Sequence, residues 1–461
     1  SGVRIMAWTV NNGKLYFNTK LYTGNGSDNH AISGVGFQPD WTWIKPRSVN
    51  YSHNAQDAVR GAGKRLEPNQ TTAESTYTSF KSFNSDGFTL GTGAGVNDNN
   101  QTFASWNWPA AGTAPSNTYA VKVVSDTGNK YRFDDFGTSA VTLEISEGGT
   151  FTFDQSDSSN NGHPLRFATQ ADAANSSQYT TGVTTNGTPG QAGAYTRITV
   201  AASAPTLFYY CTNHSGMGGQ ANTPVTNSFS NFAGSIQSNI SPNTTSGFSI
   251  VKWVNGTSSA QTIGHGLGVK PSIIILKTLT AVQDWRVYTS TLGATHFLKL
   301  NETDAGATAS SIWNNTEPTT SVFTTGTGSQ MINNTLVAYC FNDVQGFSKM
   351  GSYTGNGNAD GTFIYTGFAP AFVIVKATSI SGENWQLNDN KRKTFNVNST
   401  SLFPNLNNTE STDGMYIDML SNGFKARETG NGTNGSGVSY IYMAFAENPF
   451  TSSAGTPVTA R

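Results

Sequence analysis

The sequence predicts an all-β protein made of three repeated, jelly-roll-like β-sandwiches with a further sandwich inserted between the first two. Three observations carry that expectation. Apolar residues seldom recur at the i, i+3, i+4 spacing of an amphipathic helix, and Gly or Asn interrupts most helical windows. Short β-branched and aromatic runs recur instead, at residues 41–45, 141–145, 196–200, 207–211, 273–277, 372–376 and 440–445, separated by turn segments such as Asn84-Ser85-Asp86-Gly87. The third observation is an internal repeat.

The repeat unit is recognised by one motif strand. Gly36-Phe37-Gln38-Pro39, Gly268-Val269-Lys270-Pro271 and Gly367-Phe368-Ala369-Pro370 each precede an apolar run that ends in Lys45, Lys277 or Lys376. Pro lacks the N–H that a ladder interior needs, so it suits a strand start. The unbroken apolar run suits a strand buried on both faces. Upstream, Tyr22-Thr23-Gly24-Asn25-Gly26 matches Tyr353-Thr354-Gly355-Asn356-Gly357. Each unit closes on a similar strand, around Phe103-Ala104-Ser105-Trp106, Val337-Ala338-Tyr339-Cys340 and Met443-Ala444-Phe445-Ala446. The expected organisation is an N-terminal arm (1–16), sandwich repeat one (17–112), an inserted domain (117–222), a linker (223–246), repeat two (247–346), repeat three (347–450) and a C-terminal tail (451–461). The repeat speaks for architecture rather than chemistry.

Composition narrows the function classes. Lys+Arg 27 against Asp+Glu 28 leaves a net charge of −1, which argues against a phosphate-neutralising nucleic-acid binder. No apolar run reaches the roughly 18 residues of a membrane span. Two cysteines cannot make a disulfide framework. Ser1 opens the chain without an initiator Met or a signal pattern, which suits a processed or partial product. No Gly-x-Ser-x-Gly elbow, phosphate-binding loop or His-Glu-x-x-His is present, and the carboxylates are dispersed, so no enzyme is expected. Cys340, in an apolar strand, reads as a core residue.

The inserted segment has its own signature. Alternating strands lead to Asn161-Gly162-His163-Pro164, and the segment closes on Tyr209-Tyr210-Cys211-Thr212-Asn213-His214-Ser215-Gly216-Met217. One thiolate, two imidazoles and a Met are the ligand set of a type 1 copper site. The order of these elements resembles the cupredoxin family (plastocyanin- or pseudoazurin-like), a Greek-key sandwich. The resemblance implies His163, Cys211, His214 and Met217 as ligands to copper, with zinc a substitute. Met217 follows His214 two residues sooner than in the plastocyanin type, so its sulfur is expected to fall short of the axial position. A sandwich that keeps the pattern without metal is the rival expectation.

Aromatics suggest a second kind of site. Trp285 in Gln283-Asp284-Trp285-Arg286 and Trp385 in Asn384-Trp385-Gln386 occupy matching places after their motif lysines. A ring flanked by amides and carboxylates suits a sugar face, so both are ligand-binding candidates, with sandwich-core Trp as the alternative.

The three-unit repeat, closing on Ala444-Phe445-Ala446-Glu447-Asn448-Pro449-Phe450, resembles a repeat domain of virion proteins of marine bacteriophages. Those proteins often also carry a cupredoxin-like module. The resemblance implies a non-enzymatic virion structural protein, a tail fibre, head fibre or decoration protein on the particle surface. Its expected partners are other virion proteins, its own copies (a homo-oligomer, trimer favoured) and a host-surface glycan, with no nucleic acid and no membrane insertion. The alternatives are a secreted carbohydrate-binding adhesin and a copper redox protein.

Overall fold

The structure, a computed structural model, describes residues 10, 12–112, 114–172, 177–256, 258–412 and 416–447. Most of the expected arm, the tail 451–461 and the closing Asn448-Pro449-Phe450 lie outside the described residues. Among the described residues the fold is all-β, with 43% strand and 3% helix, arranged in several sheets and no closed barrel. No helix among the described residues is long and apolar enough to cross a membrane.

The sequence repeat reappears as one strand order used three times. In unit one, Asn18–Thr23 pairs with the closing strand Thr102–Trp108, which pairs with the motif strand Trp41–Pro46, then Asn54–Asp57. Unit two repeats this with Phe248–Asn255, Asn334–Phe341, Ile273–Thr278 and Arg286–Thr289. Unit three does so with Ser348–Thr354, Ser439–Ala446, Pro370–Ala377 and Gln386–Asp389. A small companion sheet faces each, such as His30–Ser33, Gly87–Leu90 and Phe80–Asn84 in unit one.

Every residue of the three motif strands is buried. Two different cores account for this, because successive side chains point to opposite faces of a sheet. Ile44, Ile274 and Val373 face the sandwich of their own unit. Trp41, Trp43, Ile275, Phe372 and Ile374 face a core shared by all three units. There Trp41 stacks on Tyr339 with ring centroids 4.4 Å apart, Trp106 meets Phe372 edge-on at 6.0 Å, and Phe341 meets Phe445 at 5.7 Å.

The seams between units follow one rule. His53, Trp285 and Trp385 each precede the fourth strand of their unit, and their backbone N–H groups donate to Asn69, Asn301 and Asn405 Oδ1 respectively. Their rings then cross to a neighbour. Trp285 Nε1 donates to the Glu67 carbonyl of unit one at 3.0 Å, and Trp385 Nε1 to the Lys299 carbonyl of unit two at 2.8 Å. His53 Nε2 lies 3.0 Å from the Phe403 carbonyl of unit three. Two leads to one, three to two, and one to three, so the seams close into a ring. This corrects the expectation for Trp285 and Trp385 as ligand platforms: they are 0% and 4% exposed and belong to the inter-unit core.

The inserted domain consists of two five-stranded sheets around Tyr119, Tyr131, Phe133, Phe151, Phe153, Phe167 and Tyr209. Residues 223–246, expected as a linker, instead contain the strands Phe229–Asn231 and Ser238–Asn243, which extend the sheet of unit two. Phe229 and Phe232 are buried there, making one continuous core from the inserted domain into unit two. Short polar stretches hid the strands in the sequence, since their apolar residues are only Phe229 and Ile240. Both crossings into the insert meet at Asp40. Its Oδ2 accepts from Ala110 and Gly112 N–H on the way in, and its Oδ1 from Asn227 Nδ2 on the way out.

Candidate metal centre

Strand pairing assembles the site. Leu165–Ala168 runs antiparallel to Leu207–Cys211 with Leu165 opposite Cys211, so the loop carrying His163 lies beside the Cys211 strand end. Two hydrogen bonds hold the loops together: Thr212 N–H to the Pro164 carbonyl at 3.2 Å, and Asn213 Nδ2 to the Gly162 carbonyl at 2.8 Å. The His214 loop then turns back at Gly216, whose φ is +73°. Gly216 N–H donates to Asp172 Oδ2 at 2.5 Å, and its carbonyl accepts from Lys130 Nζ. At Gly218 a Cβ would sit 1.7 Å from the Tyr209 carbonyl oxygen, so only glycine allows this close return.

The donor atoms converge. Cys211 Sγ is 3.8 Å from His163 Nδ1 and 3.7 Å from His214 Nδ1, and the three ligand atoms all lie within 4.8 Å of one another. A thiolate and an imidazole bound to one ion at about 2.3 and 2.0–2.1 Å are about 3.8 Å apart at a 120° angle and about 3.6 Å apart at a tetrahedral one. The observed separations suit one ion held by the sulfur and both nitrogens, in trigonal or tetrahedral geometry. Cys211 is buried, His163 half-buried and His214 exposed, so the group sits at the surface end of the sandwich. Burial, and then the neighbouring His214, hold the His163 imidazole below its usual range, which keeps its nitrogen lone pair free.

The surroundings orient the ligands. The His163 carbonyl accepts from Tyr131 Oη and from Gln155 Nε2, both at 2.9 Å. The Tyr131 phenol is pushed well up, first by burial and then by the adjacent Cys211. Met217 is fully buried in the same core cluster as Cys211 and Tyr131, and its carbonyl accepts from Tyr131 N–H. His163, Cys211 and His214 are therefore brought together; Met217 is packed as a core residue beside them. The sequence reading missed Tyr131, Gln155 and Asp172, whose only signal was their place in ordinary strand and loop segments. Cys340 is buried in its strand, where burial pushes its thiol up.

A family model described as a domain of unknown function, DUF7483, matches residues 12–131 and 156–449, which include all three converging side chains. No curated protein and no solved structure matches the chain.

Proposed function

The chain belongs to the DUF7483 family, and for this member we propose a non-enzymatic structural protein whose inserted sandwich holds a metal ion, copper first and zinc as its substitute. The convergence of Cys211 Sγ with His163 and His214 Nδ1, at separations one ion can bridge, carries this reading. One soft thiolate with two imidazoles favours copper or zinc over oxygen-seeking ions. When bound, copper would supply one-electron chemistry; the chain's own contribution is to hold the two imidazoles and the thiol in register through Tyr131, Asn213 and Gly218. The test is titration of the reduced, full-length protein with Cu(II) and Zn(II) by calorimetry and visible absorption. One equivalent bound, with an intense sulfur-to-copper band lost in Cys211→Ser, is the expected result. Absence of stoichiometric binding, or equal affinity in Cys211→Ser, would overturn it.

A second proposal concerns setting: the particle surface of a bacteriophage, as a fibre or decoration protein. The low charge, the threefold repeat and its closed seams support a rigid exposed component. Mass spectrometry of purified particles and the identity of flanking genes test it; flanking genes for a secretion system and no morphogenesis genes would favour the secreted-adhesin alternative.

A further inference from the structure

The three motif lysines are equivalent in sequence and register, yet only two of them close a seam. Lys277 Nζ donates to the Thr71 carbonyl of unit one and to the Gln283 carbonyl of its own unit. Lys376 Nζ donates to the Thr303 carbonyl of unit two and to the Glu383 carbonyl of its own. Thr71 and Thr303 stand two residues after Asn69 and Asn301; Gln283 and Glu383 stand two residues before Trp285 and Trp385. The matching acceptors for Lys45 are the carbonyls of Tyr51 and Asn407. Lys45 Nζ donates instead to the Pro46 carbonyl, at 2.7 Å.

Where that clamp is missing there is a cavity of about 380 Å³, and both Tyr51 and Asn407 line it. It spans the seam: Asn407 comes from unit three, and Tyr51, Asn54, Arg65, Glu67 and Tyr77 from unit one. Its size falls in the range of small-molecule sites. Its two charges cancel, with Arg65 3.7 Å from Glu67 and its guanidinium 4.5 Å from the centre of the Tyr77 ring. A ligand anchored by a phosphate or carboxylate finds no net charge to meet. Tyr51 offers a 40% exposed ring, held at its hydroxyl by Asp98. Around it are the amides of Asn50, Asn54 and Asn407 and the Ser52 hydroxyl. Asn54 is 1% exposed and donates to the Ser52 and Gly95 carbonyls, while its own carbonyl oxygen has no partner. One aromatic face among neutral donors and acceptors suits a polyhydroxylated ring.

We propose that this cavity at the seam of units one and three binds a neutral sugar residue, using Tyr51 as the stacking surface and the Asn50 and Asn407 amides as hydrogen-bonding partners. The site is separate from the metal reading and stands or falls without it.

The experiment screens the full-length protein on an array of neutral and acidic oligosaccharides, then measures hits by calorimetry. The expected result is a neutral glycan whose affinity falls about tenfold or more in both Tyr51→Ala and Asn407→Ala. Both side chains are exposed, so thermal midpoints should stay unchanged, and Cys211→Ser and Phe395→Ala, an exposed side chain outside the cavity lining, should bind normally. No glycan bound, binding restricted to acidic glycans, or undiminished affinity in both variants would overturn the proposal.

Discussion

His53 and Phe403 meet across the seam of units one and three, the imidazole Nε2 3.0 Å from the carbonyl oxygen. The other ring nitrogen, Nδ1, accepts from Trp43 Nε1 at 2.8 Å. Only the neutral imidazole can serve both partners, one as donor and one as acceptor. Trp285 and Trp385 do the same crossing with a group that cannot titrate.

The first prediction is acid sensitivity. His53 is fully buried, and burial followed by the charges of Lys45 and, further down, Arg392 holds its pKa well below the usual value, against weaker opposing hydrogen bonds to the Phe403 and Leu406 carbonyls. As pH falls below about 6.5, the unfolded chain takes up a proton at this position and the folded chain does not, so stability falls. At about pH 5.5 the loss should approach roughly 1.4 kcal/mol. His53→Gln keeps an acceptor for Trp43 and a donor for Phe403, and its thermal midpoint should change less between pH 7.5 and 5.5 than that of the parent. Parallel pH profiles would refute the assignment.

The second prediction separates the lysines. Burial lowers the Lys45 pKa to about 7 and those of Lys277 and Lys376 to about 8. The unfolded chain binds the extra proton throughout the window from there to about 10.4, so each contributes stability that rises with pH. Among the described residues Lys45 has no acceptor across its seam, so Lys45→Met should raise the thermal midpoint at pH 7. Lys277→Met should lower it, because the Gln283 carbonyl loses its ammonium donor and the Thr71 carbonyl keeps only the Gln283 N–H. Denaturant melts of the two variants decide the matter, and equal shifts would count against the missing clamp.

The third prediction concerns the seam tryptophans. Trp285→Phe and Trp385→Phe keep most of the ring but remove the Nε1 donor that crosses each seam, the Glu67 carbonyl keeping the Gln70 N–H, and each should cost about 0.5–1.5 kcal/mol. Neither should weaken glycan binding. A variant that loses binding while keeping its unfolding midpoint would restore these residues as ligand platforms.

The fourth prediction addresses Met217. Met217→Leu conserves volume in a packed core and should cost less than about 1.5 kcal/mol, with metal still bound. Loss of the metal in calorimetry would make its sulfur a required ligand.

The fifth prediction tests the clamp on the insert. Asp40→Ala leaves the Ala110 and Gly112 N–H groups and the Asn227 amide without their acceptor. About 1–3 kcal/mol should be lost from the whole chain, with the absorption of the loaded copper site unchanged. A change in that absorption would show that Asp40 also shapes the metal centre.

How much of this was legible depended on distance along the chain. The repeat could be read because Pro39, Pro271 and Pro370 stand at the same offset from a terminal Lys. The cluster could be read because Cys211 and His214 are three residues apart, and one antiparallel pairing delivers His163. The seams could not. The polar neighbours that made Trp285 look solvent-facing are its seam fittings: the Gln283 carbonyl accepts from Lys277 Nζ, and Asp284 Oδ1 accepts from the Asn301 amide. Likewise Lys45 is followed by Pro46, whose carbonyl takes its ammonium, where Thr278 follows Lys277, and the sequence does not say which acceptor wins.

The closed order of the seams has an evolutionary consequence. A ring of three separate identical chains must place the same residue at every interface, so a substitution that helps one joint is imposed on all. Joined in one polypeptide, the three joints are genetically independent. One could exchange Trp for His and leave its lysine unclamped, while the other two kept the rigid arrangement that holds the ring together.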